Sequence, residues 1–292
     1  LIYASIKGFG PGEFVDFKAY ETVAQAMGGS MSTTGWEEGP PTSTGAQIGD
    51  SGTGMHMVAG ILAALLHREK TGKGQKVEVA MQDAVLNLCR VKLRDQQRLA
   101  HGPLNEYPNK SFGDEVPRSG NASGGGQPGA ALKCSPGGPN DYIYTILQPQ
   151  GWEPLMKLVG GEELIDHTDY ATPAVRLSHL DDSFGIVEAW TQTKTKREVM
   201  DAFNELNVPC GPIMSMKEIL EDESLAGRDT VVEVDHPERG KFKTVGNPIK
   251  LSASPVEIVA SPGLGEHTEE ILRDLLGFDD ESVQNARSEG AI

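Results

Sequence analysis

Cysteine is scarce in this sequence of 292 residues, and the three cysteines form no recognisable pattern. Cys89, Cys134 and Cys210 are far apart, odd in number and without any C-x-x-C spacing. Such an arrangement argues against a disulfide framework and against a cysteine-ligated zinc site. It fits a protein of the reducing cytoplasm, and cytoplasmic is therefore the predicted localisation.

Long apolar runs and positive charge are also in short supply. No stretch approaches the roughly 18 uninterrupted apolar residues that a membrane helix requires, so no membrane span is predicted. The 26 Lys and Arg residues face 42 Asp and Glu residues, which gives a formal net charge of −16 and no basic stripe for nucleic acid. The seven histidines show no H-E-x-x-H or similar spacing, so no metal site is predicted.

Glycine and proline are plentiful, with 35 and 18 residues, and between these breaks the first hundred residues alternate between strand and helix patterns. The β-branched residues 1–6 predict a strand, and residues 17–29 predict a helix that ends at two glycines. Residues 75–81 alternate as a strand does, and residues 82–99 predict a single amphipathic helix. This order indicates an α/β fold class.

Residues 55–66, MHMVAGILAALL, are apolar on nearly every face apart from His56. A helix without a polar face needs other elements around it, so this segment is predicted to be a core helix wrapped by the rest of the fold. Lys70 and its neighbouring cations suit the negative end of the helix dipole, and Gly72 is expected to end the helix.

Residues 100–130 lose periodicity, and a smaller α+β pattern follows with two strands near 130 and 145. The chain closes with a helix for which Thr268 is the expected cap. The predicted organisation is a large domain over 1–99, a linker over 100–120, a small domain over 121–195, a second linker over 196–214 and a return to the large domain over 215–292.

The run GGGQPG at residues 124–129 matches the letters of a dinucleotide-binding fingerprint, but its context does not. That fingerprint follows a hydrophobic strand and opens a helix, whereas NAS precedes this run and Pro128 would remove a helical donor. NAD and FAD binding are therefore not predicted. Two interpretations stay open: a flexible flap whose backbone N–H groups approach a ligand, and a solvent-exposed linker.

Asp50, in the run QIGDSGTGM, is the second candidate for chemistry. An aspartate before small residues and a helix is most often an N-cap, whose side chain accepts hydrogen bonds from the first backbone N–H groups. The alternative is that the carboxylate is a reagent. The pattern of residues 47–55 by itself favours the cap.

Several long stretches resemble the class III CoA-transferases, the CaiB/BaiF type. They extend from residue 5 to the C-terminal region and are SIKGF, KAYETVAQAMGGS, TTGWEEGPPTSTGAQIGDSGTGMHMVAGILAALLHREKTGKGQKVEVAMQDAVLNLCRVKLRDQQRL, GNASGGGQPG, VPCGPIMSMKEI and PGLGEHT.

The resemblance implies an open, Rossmann-like α/β large domain built from both chain ends, a small α+β domain, and two subunits threaded through each other as an interlocked homodimer. It also implies that the family's N-terminal segment, which supplies much of the CoA pocket and one glutamine of the site, is missing from this sequence. That expectation puts the activity of the chain alone in doubt.

Carried over from the family, Asp50 matches the nucleophile of the G-D-S-x-T/S-G-M-H stretch. Tyr20 and Glu21 match a Tyr-Glu pair that lines the same site, and Lys18 matches a lysine that contacts CoA. The resemblance assigns Asp50, Tyr20 and Glu21 to the catalytic site and Lys18 to cofactor binding.

The family's glycine loop falls on residues 123–129, of which the matching site residues are Gly124, Gly125, Gly126 and Gln127. Ser123 replaces the first glycine of the loop. Ala130 stands where these enzymes commonly have tryptophan, so substrate packing at the loop base is expected to differ.

The activity implied by the resemblance is transfer of CoA from formyl-CoA to oxalate, through an aspartyl anhydride and an aspartyl-CoA thioester. The CoA thioester is a substrate, and no permanently bound cofactor is implied. The alternatives are another small carboxylate pair with acetyl- or succinyl-CoA, a racemase acting on acyl-CoA, and a non-catalytic CoA-binding fragment. Tyr20 stands where the racemases have a catalytic histidine, which favours transfer.

Overall fold

The computed structural model describes residues 1–104, 107, 111–121 and 128–292, which form two compact units, Leu1–Ile213 and Met214–Ile292. Helices alternate with small parallel and antiparallel sheets, which confirms the predicted α/β class. The five domain and linker boundaries given above remain predictions.

The first hundred residues contain the predicted strands and helices, with one extra break. In chain order these elements are β1 (Tyr3–Lys7), α1 (Glu21–Met27), a 3-10 turn (Met31–Thr33), α2 (Asp50–Thr71), β2 (Lys76–Ala80), α3 (Met81–Leu88) and α4 (Arg90–Leu99). Strands β1 and β2 pair in parallel, from Tyr3 opposite Lys76 to Lys7 opposite Ala80. Because parallel neighbours need a crossover, α1 and α2 lie between them in the chain.

Helix α2 is longer and much less buried than the sequence predicts. Gly72 ends it in the left-handed conformation with φ 71°, as expected. The prediction of a wrapped core helix is wrong for the described chain, because the main contacts of α2 are with β1, β2 and α3 and many of its apolar side chains stay exposed. Met55 and Leu62 are 67% and 60% exposed, and the buried residues of α2 are Thr53, Met57 and Ala64.

Helix α1 shows the same pattern on a smaller scale. Its apolar residues lie at helical spacing, but Ala24 is the one among them that is buried, while Val23 and Met27 are about 40% exposed. The second buried residue of α1 is Gln25, a polar side chain. The apolar stripe of residues 17–29 therefore does not identify the buried face.

The single helix predicted over 82–99 is broken at Cys89, so this prediction is wrong at one point. Its two halves bury different kinds of side chain: α3 buries the apolar Met81 and Val85, whereas the buried residue of α4 is the charged Asp95. The Asp95 carboxylate accepts hydrogen bonds from Tyr107 Oη at 2.7 Å and from two arginines. A continuous helix would keep one apolar stripe on one face, and these halves do not share one.

The remainder of the first unit is a small α+β module with its own core. Its elements are β3 (Gly129–Lys133), β4 (Tyr142–Ile146), α5 (Trp152–Val159), α6 (Pro173–Arg176), α7 (Leu180–Thr191), α8 (Lys196–Glu205) and β5 (Cys210–Pro212). The predicted strand pair is confirmed, since β3, β4 and β5 form an antiparallel sheet. Ile143, Leu155, Val187 and Phe203 are fully buried where the helices cover this sheet.

The second unit has a β-hairpin and four short helices among its residues. They are α9 (Met216–Glu221), α10 (Glu223–Ala226), β6 (Val231–His236), β7 (Gly240–Val245), α11 (Thr268–Asp274) and α12 (Asp280–Ser288). Thr268 is the first helical residue of α11, so the prediction that it caps this helix is wrong. The cap position is His267, whose side chain makes no capping bond, and Thr268 donates its N–H to the Gly265 carbonyl at 3.0 Å in the preceding turn.

Within the described ranges, no helix is both long enough and apolar enough to cross a membrane.

Candidate active site

Asp50 is the first residue of α2, and its side chain is exposed. Gly49 occupies the cap position, and no side chain at that position accepts a hydrogen bond. The interpretation of Asp50 as an N-cap is therefore wrong, because a residue inside the helix cannot fold its carboxylate back over the first N–H groups as a cap does. The Asp50 carboxylate is left available to another group.

Glu21 binds the donors at the start of α2 that a cap would otherwise bind. One of its carboxylate oxygens, Oε2, accepts from Asp50 N–H at 2.6 Å, and the other, Oε1, accepts from Gly49 N–H at 2.9 Å. Burial alone would raise the pKa of Glu21, but the hydrogen bonds from Asp50, Gln25 and Gly49 outweigh it and lower the pKa below its ordinary value. Glu21 is therefore anionic where the helix dipole is positive.

Two further residues complete this junction, and sequence reasoning missed both. A Cβ on Gly49 would lie 2.7 Å from the Glu21 carbonyl oxygen, so only glycine lets α1 and α2 approach this closely. The fully buried Gln25 donates from Nε2 to Glu21 Oε1 at 2.7 Å and accepts from Thr44 N–H at 2.9 Å. The four-residue spacing of Glu21 and Gln25 on one helix face was the available signal.

Tyr20 and Lys18 precede this junction on the same chain segment. Tyr20 is at the cap position of α1, where its carbonyl accepts from Ala24 N–H at 2.9 Å, and its side chain is 77% exposed. Lys18 is exposed two residues earlier. The structure thus brings Glu21 to the start of the helix that carries Asp50, with Tyr20 next to it in the chain.

The glycine loop residues Gly124, Gly125, Gly126 and Gln127, together with Ser123, lie outside the described residues, so their roles remain predictions. The loop resumes in the described chain at Pro128, and Ala130 is the second residue of β3.

The chain just before the glycine loop packs on the loop that carries Trp36. Gly120 donates its N–H to the Gly35 carbonyl at 2.9 Å, and a Cβ on Gly120 would lie 2.2 Å from the Trp36 ring. Trp36, Asn121 and Pro128 line a cavity of about 660 Å3 that continues along β3 to α7. Asp50 is not among the residues that line this cavity.

The three cysteines are unpaired in the structure, and burial raises the pKa of the thiol of Cys89, Cys134 and Cys210. A raised pKa leaves little thiolate at neutral pH, which disfavours these side chains as nucleophiles. The described part of the chain also contains no group of three His, Cys, Asp or Glu residues placed to hold a metal ion. The junction of α1 and α2 is the candidate active site.

The sequence is similar to one described protein family and to curated proteins of known name. The model of the family described as CoA-transferase family III matches residues 1–268. A formyl-CoA:oxalate CoA-transferase from Streptomyces coelicolor is 65% identical over 292 residues, which is all of this chain and 71% of that protein. The enzyme of the same name from Rhodopseudomonas palustris strain BisB18 is 59% identical and is covered to 70% of its length.

Solved structures were also compared with this fold. A CaiB/BaiF family protein from Brucella suis superposes with a TM-score of 0.75 at 26% identity, covering 94% of this chain and 68% of that one. A protein from Mycobacterium tuberculosis superposes with a TM-score of 0.69 at 21% identity, covering 92% of this chain and 68% of that one. The second likeness concerns the fold alone.

Proposed function

This chain belongs to CoA-transferase family III, and from that membership we propose that it transfers coenzyme A from formyl-CoA to oxalate. The names of the relatives at 59–65% identity support this substrate pair. The observation that carries the proposal is the placement of Asp50, whose backbone is bound to Glu21 while its exposed side chain is not engaged as a cap. We propose that Asp50 is the nucleophile.

A carboxylate suits this reaction because it is already ionised at neutral pH and needs no base to activate it. Its weakness is low basicity, since attack on a thioester yields a mixed anhydride of higher energy. Holding the carboxylate against the bound thioester contributes about 7–11 kcal/mol, and backbone N–H donors to the tetrahedral oxyanion contribute about 3–4 kcal/mol. The hydrogen bonds from Gly49 and Asp50 to Glu21 support the contribution from orientation, because they hold the backbone of Asp50 in place.

In the proposed reaction, the Asp50 carboxylate attacks the formyl carbon, the C–S bond breaks, and CoA leaves as the thiolate. The thiolate then attacks the Asp50 carbonyl carbon and displaces formate, which leaves an aspartyl-CoA thioester. Oxalate attacks the same carbonyl and releases the thiolate again. The thiolate finally attacks the oxalyl carbon of the new anhydride, which yields oxalyl-CoA and regenerates the Asp50 carboxylate.

The remaining assignments are also part of the proposal. Tyr20 lines the substrate site, Lys18 contacts CoA, and the backbone N–H groups of Gly124 to Gln127 bind the oxyanion and exclude water. We further propose an interlocked homodimer, for which the exposed apolar residues of α2 are the supporting observation. A cytoplasmic location is proposed from the unpaired cysteines.

The direct test is covalent trapping at Asp50 in the full-length protein. Incubation with formyl-CoA followed by hydroxylamine is expected to leave a hydroxamate on the peptide that contains Asp50, identified by mass spectrometry. Asp50→Asn should abolish both the hydroxamate and CoA transfer, whereas Asp201→Asn, on the exposed surface of α8, should leave both intact. An active enzyme without modification at Asp50 would refute the mechanism.

A second measurement tests the substrate pair. CoA donors are combined with carboxylate acceptors in the full-length enzyme, and kcat/KM is expected to be highest for formyl-CoA with oxalate. A higher value for acetyl-CoA or succinyl-CoA as donor would keep the aspartyl chemistry but reassign the substrates.

A further inference from the structure

We propose that Gln25 is a positioning residue for Asp50, because its buried amide orients the Glu21 carboxylate that binds the start of α2. The inference rests on the proposed function of Asp50 and deepens it. Gln25 touches neither a substrate nor the Asp50 side chain in this proposal, and it acts through Glu21.

A hydrogen bond between Gln25 and Glu21 orients the Glu21 carboxylate. Gln25 Nε2 donates to Glu21 Oε1 at 2.7 Å, and this same oxygen accepts from Gly49 N–H. With Oε1 held by two donors, the plane of the carboxylate is fixed, and Oε2 is directed at Asp50 N–H. A hydrogen bond to a charged acceptor is shorter and stronger than a neutral one, which favours a single arrangement.

The carbonyl oxygen of the same Gln25 amide binds a backbone group. Gln25 Oε1 accepts from Thr44 N–H at 2.9 Å, and Thr44 lies in the loop that leads to Asp50. Rotating the amide by half a turn would bring Oε1 against the Glu21 carboxylate and the amino group against Thr44 N–H. Both contacts would then be repulsive, so the orientation of the amide is determined by its partners.

These bonds place Asp50 relative to α1 from two directions. Glu21 holds the backbone of Gly49 and Asp50, while Gln25 holds the chain at Thr44, six residues before Asp50. Because α1 also begins next to Tyr20, the amide of Gln25 relates the nucleophile to the other proposed site residues. A displacement of about 1 Å at a reacting group can cost about 100-fold in rate, so this tie is expected to appear in the acylation step.

Gln25→Glu is the test substitution, because it keeps the size of the side chain and replaces the Nε2 donor with an acceptor facing Glu21. A residue that serves folding alone would lower the fraction of competent molecules and leave the rate constant of each competent molecule unchanged. Single-turnover acylation of the full-length enzyme at saturating formyl-CoA separates the two, with the Asp50 hydroxamate as the signal. Its amplitude counts competent molecules, and its rate constant reports positioning.

The expected result is a rate constant about 100-fold lower in Gln25→Glu, with KM for formyl-CoA close to the wild-type value. Gln96→Glu is the matched control. Gln96 in α4 also bridges two groups through its amide, here two backbone groups of the segment after α4: it donates to Asp114 O at 2.6 Å and accepts from Val116 N–H at 2.9 Å. Its acylation rate constant should equal that of the wild type.

A carboxyl group buried beside Glu21 can retain a proton and donate it as the amide does, so Gln25→Asn is measured in parallel. The amide shortened by one carbon cannot reach both partners and should also slow acylation. Unchanged rate constants in both variants would overturn the inference, whether or not the amplitudes fall; if Gln25→Glu does not fold, Gln25→Asn decides by the same readout. A wild-type enzyme that is not acylated at Asp50 would refute the proposed function and the inference with it. Acylation at Asp50 with no effect of either substitution would refute the inference alone.

Discussion

Glu21→Gln offers a quantitative test of the junction between α1 and α2, because it removes the charge and keeps the shape. The wild-type carboxylate accepts hydrogen bonds from Asp50, Gly49 and Gln25. In the variant an amide NH2 group replaces one oxygen and leaves one of these donors without an acceptor. A hydrogen bond to a charged group is worth about 1.5–3 kcal/mol and the interaction with the helix N-terminus about 0.3–1 kcal/mol.

Because Glu21 is partly exposed, we take the lower part of this range and expect the free energy of unfolding to fall by about 2 kcal/mol at neutral pH. For a unit of this size, such a loss corresponds to a decrease in Tm of about 4–8 °C.

The pH dependence gives the sharper test. The pKa of Glu21 is lowered in the folded state, so its stabilising contribution is complete above the ordinary glutamate pKa of about 4.3 and is lost as pH falls through the lowered value. The variant has no carboxylate at this position. The difference in unfolding free energy between wild type and Glu21→Gln should therefore be largest near neutral pH and shrink as the solution is acidified.

The assay is urea unfolding followed by circular dichroism, at several values from about pH 7 down to about pH 3. Other carboxylates titrate equally in both proteins and cancel in the difference. Glu153→Gln is the control, since this exposed carboxylate pairs with Lys157 at 2.6 Å and its loss should hardly change stability. A difference that stays constant with pH, or grows on acidification, would show that the Glu21 carboxylate does not stabilise this junction.

Three other outcomes are expected. Asp95→Asn should lower the unfolding free energy by about 1.5–3 kcal/mol in urea titrations, because Asp95 is fully buried and Tyr107 and two half-exposed arginines would lose their charged acceptor. Gly120→Ala should destabilise the fold by about 1–3 kcal/mol in thermal unfolding, since its φ is 56° and the new methyl group would meet the Trp36 ring. With a larger acyl-CoA and no acceptor, deuterium from the solvent should not enter the α-carbon by mass spectrometry; rapid exchange there would instead favour the racemase alternative.

Local patterns predicted the elements of this fold well. Alternation of residue types located β1 and β2, and the same reasoning found the antiparallel pair of β3 and β4. These predictions succeed because side-chain periodicity is a property of the segment itself. The prediction that Gly72 ends α2 is also confirmed, because the left-handed conformation after a helix strongly favours glycine, which is again a local property.

Predictions that depend on what packs against a segment were less successful. An aspartate before a helix is a cap only if no other acceptor reaches the first N–H groups, and here Glu21 reaches them from 29 residues earlier in the chain. The apolar composition of residues 55–66 likewise indicates that other residues pack against this helix, but it does not indicate which residues these are. The spacing of Glu21 and Gln25 is a local signal for the first partner of this buried amide, but nothing local indicates its second partner, Thr44, which lies 19 residues away.

The proposed reaction requires that Asp50 be positioned and that water be excluded from it. The described residues account for the positioning, and the exclusion of water is left to other parts of the protein. The backbone of Asp50 is held by Glu21, yet its side chain is exposed to solvent. A mixed anhydride in that setting would be hydrolysed, so the glycine loop or a second subunit must exclude water in our proposal. Loss of either requirement has a different effect. Weaker hydrogen bonding between Gln25, Glu21 and the start of α2 slows acylation of Asp50. Entry of water leaves acylation fast but lets the anhydride hydrolyse, so formyl-CoA is consumed without transfer. The ratio of CoA transferred to formate released without transfer, compared between Gln25→Glu and substitutions at Gly124 to Gly126, separates positioning from enclosure.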